Sequence, residues 1–280
     1  MKVIFCLTSP RSGTKYLADI FKYNVKNCIA KHEPFPDMFG KFIYWYQDGK
    51  YKKIKERFNL KKFLINMHKT DVYLETNHSF LKSFADVAIE AYPDMKLIHL
   101  IRNPLMVAKS NLNKYKIIKN NLLLCSYNGD DGKKYYKWSF TGKEDIYKKY
   151  GFNENTIFEI NDEPKIYKFF LIQWIETENR AINFLNKYKK HNDNYTLNIP
   201  RDLNDPIVLK DMFKFLGLEL NQDEICFKGK KNRNTVQTIV SDKDQEYLKE
   251  VITKLPDSYL KIFREKPYLD FEWVKIFHKT

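Results

Sequence analysis

Short apolar runs alternate along this chain with longer stretches of helical periodicity. Residues 3–7, 72–75 and 97–101 are dense in apolar side chains, and short runs of this kind predict buried strands. Residues 195–199 predict another strand. Residues 28–32 predict a further short strand. Between them, helical spacing predicts helices over residues 14–26, 50–68, 79–92, 163–190, 205–217 and 241–255, and in the segment after Asn103. In residues 79–92 the apolar side is Phe80, Phe84, Val87, Ala88 and Ala91, the stripe of an amphipathic helix. Asn103 and Pro104 form a helix start, as N-cap and first helical residue. Gly217 closes another helix as its C-cap. Trp174 falls in the apolar stripe of residues 163–190, where packing is its expected role. Strands alternating with helices predict an α/β fold with a parallel sheet and helices on both faces. No repeat or linker divides the chain, so residues 1–280 read as one domain. Residues 119–162, with Asn-Gly-Asp-Asp-Gly, many lysines and several aromatics, read as an insert or lid, not as sheet core.

Composition narrows the class. A chain of 280 residues with 43% hydrophobic content buries a full core and is not generally disordered. Cys6, Cys28, Cys125 and Cys226 lie far apart in sequence with no Cys-x-x-Cys pair, which argues against a structural zinc or a disulfide framework. No apolar stretch approaches the ~20 residues of a membrane span. No signal peptide precedes residue 8, so the expected location is the cytoplasm. The net charge of +14 suits an anionic partner, although lysines spread over solvated faces explain it equally well. Basic and aromatic residues interleave at Lys133-Lys134-Tyr135-Tyr136-Lys137-Trp138, a pattern compatible with nucleic acid. No nucleic-acid-binding signature accompanies it, and an acceptor-binding loop explains it as well.

Two segments carry chemistry. Thr8-Ser9-Pro10-Arg11-Ser12-Gly13-Thr14-Lys15-Tyr16 sits between the first strand and the first helix. A tight polar turn in that position aims backbone N–H groups and a helix N-terminus at an anion. Gly13 permits close backbone approach, Ser12 and Thr14 add hydroxyls, and Arg11 and Lys15 add charge. It is neither a Walker A loop nor a dinucleotide fingerprint. The second segment is Arg102-Asn103-Pro104, leaving the carboxyl end of a strand, where ligands of open α/β sheets bind. Asn103, Val107 and Ser110 then fall on one helical face.

Together these segments resemble the sulfotransferases that use 3′-phosphoadenosine 5′-phosphosulfate (PAPS). The first resembles their 5′-phosphosulfate loop in its Arg-Ser-Gly-Thr form. The second resembles their 3′-phosphate motif, Arg-Asp/Asn-Pro followed by Val and Ser. The order of the motifs and their separation of roughly 90 residues fit that family. The likeness covers mainly residues 1–35 and 71–115. It implies a P-loop NTPase-like sulfotransferase architecture of the carbohydrate-type branch. It also implies PAPS as donor, 3′,5′-bisphosphate (PAP) as product, in-line transfer to an acceptor hydroxyl, no metal requirement, and an acceptor that is a carbohydrate, an acidic glycan included.

The resemblance also implies residue roles. Arg11, Ser12, Gly13, Thr14, Lys15 and Tyr16 would bind the 5′ end of the donor, and Arg102 and Ser110 its 3′-phosphate. Lys15 and Arg11 are both candidates for the cation on the bridging oxygen. A late basic loop containing Lys230, Lys231 and Asn232 matches the place where the family closes over the 3′-phosphate. His32-Glu33-Pro34-Phe35 resembles the segment where glycan-type members place a catalytic Glu, so Glu33 is the expected general base, with His32 next. His78 is a third candidate, in Glu75-Thr76-Asn77-His78-Ser79-Phe80, where Thr76 replaces a family lysine. The alternatives from the residues alone are a small-molecule P-loop kinase, which would need magnesium, and a glycan- or nucleic-acid-binding module without turnover.

Overall fold

The computed structural model describes residues 1–152, 156–228 and 239–276. In chain order its strands are β1 (Lys2–Thr8), β2 (Cys28–His32), β3 (Val72–Thr76), β4 (Lys96–Arg102), β5 (Ser126–Asn128), β6 (Lys134–Tyr136) and β7 (Asn194–Ile199). Its α-helices are α1 (Thr14–Asn24), α2 (Lys41–Gln47), α3 (Tyr51–Asn66), α4 (Ala85–Ala91), α5 (Pro104–Ile118), α6 (Leu122–Cys125), α7 (Asp145–Tyr150), α8 (Glu163–Lys187), α9 (Pro206–Phe215), α10 (Asp242–Lys254) and α11 (Asp257–Leu260). These elements cluster into two compact units. The first comprises Met1–Met38, Lys50–Arg102 and Ala181–Arg233, and the second Phe39–Gly49, Asn103–Arg180 and Asn234–Thr280.

The first unit is built on a five-stranded sheet of order β2-β3-β1-β4-β7, parallel at every pairing. Parallel pairing requires crossovers, which the helices supply. Alternate side chains of β1 enter opposite faces. Ile4 and Cys6 join Leu17, Ile20 and Phe21 of α1 and Leu209, Met212 and Phe213 of α9 in one core cluster. Phe5 points the other way, stacking on Phe80 at 5.1 Å and meeting Phe84 edge-on at 6.1 Å. Phe58 of α3 and Phe184 of α8 complete that second layer. Both faces are thus dry, which is why β1, β3 and β4 read as continuous apolar runs.

The expected helix over residues 79–92 is two elements. Phe80–Phe84 form a π-helical turn, and α4 begins only at Ala85. The wider turn buries all five of its residues, including Lys82 and Ser83, which the amphipathic pattern leaves off the apolar stripe. Helix α2, within Gly40–Gln47, has no counterpart in the sequence pattern.

The second unit takes the chain up at Asn103. The Asn103 side chain accepts the Leu105 N–H at 2.9 Å and Pro104 opens α5. Among the described residues, 119–162 add no strand to the five-stranded sheet; β5 and β6 pair with each other. Tyr136 of that hairpin packs on Tyr115 of α5 at 5.3 Å. Trp174 is buried in a cluster with Phe263, Tyr268 and Trp273, so it serves packing. Among the described residues, no helix is long and apolar enough to cross a membrane.

Candidate anion and proton-transfer site

The parallel sheet sends the carboxyl ends of β2, β3, β1 and β4 to a single edge of the first unit. At the end of β1 the chain turns through residues 9–13 into α1. Arg11 and Gly13 both take positive φ, 68° and 81°. The left-handed positions fold the backbone into a concave turn, the geometry that exposes N–H groups to an anion. Only glycine fits the second position: a Cβ there would lie 2.9 Å from Leu203 Cδ1 and 3.5 Å from Ile199 Cγ2. No side chain caps α1 and its first turn carries no acid, which leaves the positive end of the helix open to a ligand.

Polar groups converge on this turn. Ser12 is fully buried, yet its hydroxyl has no hydrogen-bond partner among the described residues. A buried, unpaired hydroxyl costs free energy unless a ligand completes it. Arg102, at the end of the adjacent strand β4, donates through Nη1 to the Arg11 carbonyl at 2.5 Å. Its Nε is also buried, with no partner among the described residues. Burial, and next the Arg11 charge, hold the Arg102 guanidinium below its ordinary pKa. A guanidinium still charged, crowded by a second cation and incompletely hydrogen-bonded, suits an anion such as a phosphate or sulfate. Lys15 is exposed on α1 and Thr14 is buried. Tyr16 turns into the core cluster, and burial pushes its phenol pKa up.

The three base candidates meet two strands away. Glu33 follows β2 with a φ of 48°, a strained value for a non-glycine residue. Its N–H is tied to the Thr76 carbonyl at 3.2 Å. Its Oε1 lies 3.4 Å from His78 Nε2 and 3.9 Å from His32 Nε2. The Glu33 side chain is 26% exposed and that of His78 only 6%. His32 is oriented by Thr76, whose carbonyl and hydroxyl lie 3.1 and 3.2 Å from Nδ1. On the far side of His78, the Lys82 ammonium is 3.5 Å from Nδ1. An ammonium only donates, so Nδ1 is the acceptor and Nε2 carries the proton that faces Glu33. Glu33, His78 and Lys82 therefore run in one line from the protein surface to a fully buried cation.

A second buried charge pair supports the loop that carries Glu33. Lys61 Nζ meets Glu75 Oε1 and Oε2 at 2.7 and 2.9 Å, with both side chains almost fully buried. Glu75 also accepts from Asn77 at 3.0 Å and Tyr73 at 3.2 Å. Asn77 and Ser79 in turn donate to the Asp37 carbonyl at 3.0 and 2.8 Å, and Ser83 donates to Met38 at 2.8 Å. Asp37 and Met38 are thus held by Asn77 and Ser79, which link β3 to the π-turn, and by Ser83 of the π-turn.

The remaining expected residues lie elsewhere. Ser110 is buried in α5, two turns past Asn103, in the second unit. Lys230, Lys231 and Asn232 lie outside the described residues. Sequence reading missed Lys82, Lys61 and Glu75. The available signal was the spacing of four between His78 and Lys82, which puts them on one side of a helical turn. Among the described residues, no group of three or more His, Cys, Asp or Glu is placed to hold a metal ion.

No family model and no curated protein sequence matches this chain. It is similar to a solved sulfotransferase from Alicyclobacillus acidocaldarius, at 13% identity and a TM-score of 0.46, over 93% of this chain and 99% of that one. It is also similar to the sulfotransferase domain of the Synechococcus olefin synthase, at 13% identity and a TM-score of 0.37, over 91% and 96%. A third likeness is to the sulfotransferase domain of the curacin biosynthetic pathway, at 13% identity and a TM-score of 0.42, over 97% and 98%. At this level of similarity, the residues of the sheet edge have to carry any assignment of function.

Proposed function

We propose that this chain is a sulfotransferase that moves a sulfuryl group from PAPS to an acceptor hydroxyl, with a carbohydrate as the acceptor class. The observation that carries this reading is the buried, unpartnered Ser12 hydroxyl beside Arg102, on a left-handed turn at the carboxyl end of β1. Those groups fit a phosphate or sulfate, and the motifs around them resemble the two halves of a PAPS site.

PAPS supplies an already activated sulfuryl group whose leaving group is a phosphate. What the chain must add is orientation, stabilisation of developing charge and removal of one proton. The turn of residues 11–14 would hold the 5′ end, with Arg11 and Lys15 as the cations nearest the reacting group. Arg102 would take a phosphate of the nucleotide, and the resemblance gives Ser110, Lys230, Lys231 and Asn232 a role toward the 3′-phosphate. Glu33 accepts the acceptor's proton as the new S–O bond forms and the bond to the leaving phosphate breaks. Neighbouring strands lie about 4.8 Å apart. Residues following β2 and β1, two strands apart at one edge, are therefore separated by roughly 10 Å, a span that an acceptor hydroxyl and a sulfuryl group can bridge. His78, holding its Nε2 proton toward Glu33, positions the carboxylate.

A carbohydrate is supported by the surface next to Glu33. The Phe35 ring is 67% exposed and is backed by the Arg57 guanidinium at 4.7 Å. A fixed, solvent-facing aromatic ring two residues from the base suits the apolar C–H face of a sugar. The deciding experiment is incubation with sulfur-labelled PAPS and a panel of glycan, peptide and phenolic acceptors, in EDTA. Label transfer to glycan hydroxyls is the expected result. Turnover that instead requires ATP and magnesium would replace this reading with a kinase.

A further inference from the structure

We propose that the second unit carries a binding site for a hexuronate, a sugar ring bearing one carboxylate, in the cavity between the C-terminal half of α5 and the start of α8. The cavity has a volume of about 360 Å³, at the small end of the range for ligand sites. Leu112 of α5, Ile160 and Ile166 of α8 give it an apolar floor, and all three are buried. Two aromatic rings wall it. Tyr115 commits its hydroxyl to the Ile157 carbonyl at 3.3 Å, so it gives the cavity its ring. Phe158 is held 5.9 Å from Tyr115 and 6.1 Å from Tyr136, yet it is only half-buried and keeps part of its surface toward the cavity. Packing within the second unit fixes both rings, so the wall is in place before any ligand arrives.

The rim above this floor is polar, and its chemistry selects the ligand. Lys116 and Glu163 meet at 2.6 Å, so the one acid among the described lining residues is already neutralised. Lys119, Asn120 and Asn161 are exposed. Among the described residues, none of these three side chains has a hydrogen-bond or ion-pair partner. A carboxamide both donates and accepts, which matches the hydroxyls of a sugar. The Lys119 ammonium matches one carboxylate, and the Phe158 ring suits the C–H face of the same sugar. A hydrocarbon would cover the rim and leave its polar groups unpaired. A phosphate would meet a single available cation, with Glu163 set against it in the first turn of α8. A neutral hexose would leave Lys119 unused. This site is independent of the sulfuryl-transfer reading.

The test is a chemical-shift titration of the full chain, labelled with nitrogen-15, against methyl glucuronide, methyl glucoside and acetate. The side-chain amides of Asn120 and Asn161 should move with the glucuronide. Its Kd should lie about three- to fivefold below that of the glucoside, the scale of an ion pair at a surface. Acetate at the same concentration should move neither amide. Lys119→Met should erase the preference for glucuronide over glucoside. Asn120→Ala/Asn161→Ala should weaken both sugars about tenfold, read from the backbone N–H of Lys119. All three side chains are exposed, so circular dichroism and Tm should stay at wild-type values in both variants. Unmoved Asn120 and Asn161 amides in the wild type would overturn the proposal. So would equal affinity for the two sugars, or a glucuronide preference that survives Lys119→Met. A response to acetate as large as that to glucuronide would overturn it in favour of a bare charge contact.

Discussion

His78 Nε2 and Glu33 Oε1 lie 3.4 Å apart, and the Lys82 ammonium on the other side of the ring fixes which nitrogen carries the proton. In the proposed reaction this pair would divide the work of a base. Glu33 is partly exposed, and His78 would hold its direction from below. Glu33→Gln keeps the shape and removes the basicity. Turnover should fall by about 10²–10⁴, the usual range for general-base catalysis, while bisphosphate binding stays near wild type by calorimetry. His32→Ala is the control. Loss of turnover there, with Glu33→Gln near normal, would transfer the role to His32.

His78 is expected to act through Glu33. His78→Ala removes one hydrogen bond to a charged group, a contribution of about 1.5–3 kcal/mol, so kcat should drop by about 10–100-fold. His78→Gln retains an N–H donor and should restore part of the rate. Equal rates for His78→Gln and His78→Ala would assign His78 a purely structural role.

Arg102→Ala should weaken binding of the 3′,5′-bisphosphate at least tenfold, from the same range for a charge-assisted bond. Ser110→Ala should weaken it less. Adenosine 5′-phosphosulfate, which lacks the 3′-phosphate, should bind either variant almost as it binds wild type. In a thermal-shift assay with EDTA, the bisphosphate at about 100 times its Kd should stabilise the wild type by roughly 2.7 kcal/mol, and ATP by much less. Equal loss for both nucleotides in Arg102→Ala would place its contact on the 5′ side.

Gly13→Ala forces a Cβ into a left-handed position that costs about 1–2 kcal/mol and drives it against Leu203. Both Tm and bisphosphate affinity should fall. Adding Leu203→Ala relieves the clash but leaves the backbone strain, so the double variant should not recover donor binding. Full recovery would show that space, not backbone conformation, selects glycine.

Lys61→Met leaves Glu75 buried without its cation, and Glu75→Gln does the reverse. Breaking a buried pair costs about 3–5 kcal/mol, which denaturant titration should resolve in each single variant. The Lys61→Met/Glu75→Gln double variant should be more stable than either single variant, since no lone buried charge remains. Additive losses in this cycle would mean that the two groups are not coupled.

The sequence was most informative where structure is local. The strand runs, the Asn103–Pro104 helix start, the Gly217 stop and the tight turn between β1 and α1 depend on neighbours within a few residues, and the structure places them as the pattern predicts. Lys61 and Lys82 show where such reading ends. Each sits in a segment with helical spacing; nothing nearby in sequence sets Lys61 apart from the solvated lysines around it, and for Lys82 the one hint is His78 four residues earlier. Lys61 is drawn in by Glu75 on β3, and Lys82 by a π-turn that changes the phase of its helix. The meeting of Glu33 with His78 likewise depends on the register of β2 against β3, in which His32 lies opposite Thr76, and that register is a property of the assembled sheet.

The sheet order has a consequence for how the protein would fail. The anion turn hangs from β1, the central strand, covered on both faces and paired on both sides. Glu33 hangs from β2, an edge strand whose residues are all partly accessible and which pairs with β3 alone. Edge elements open at lower free energy than central ones. On warming, or as destabilising substitutions accumulate, Glu33 should drift out of place while the turn after β1 still holds its shape. If the proposed reaction is right, such a protein would still bind the donor but no longer turn it over, well before it unfolds.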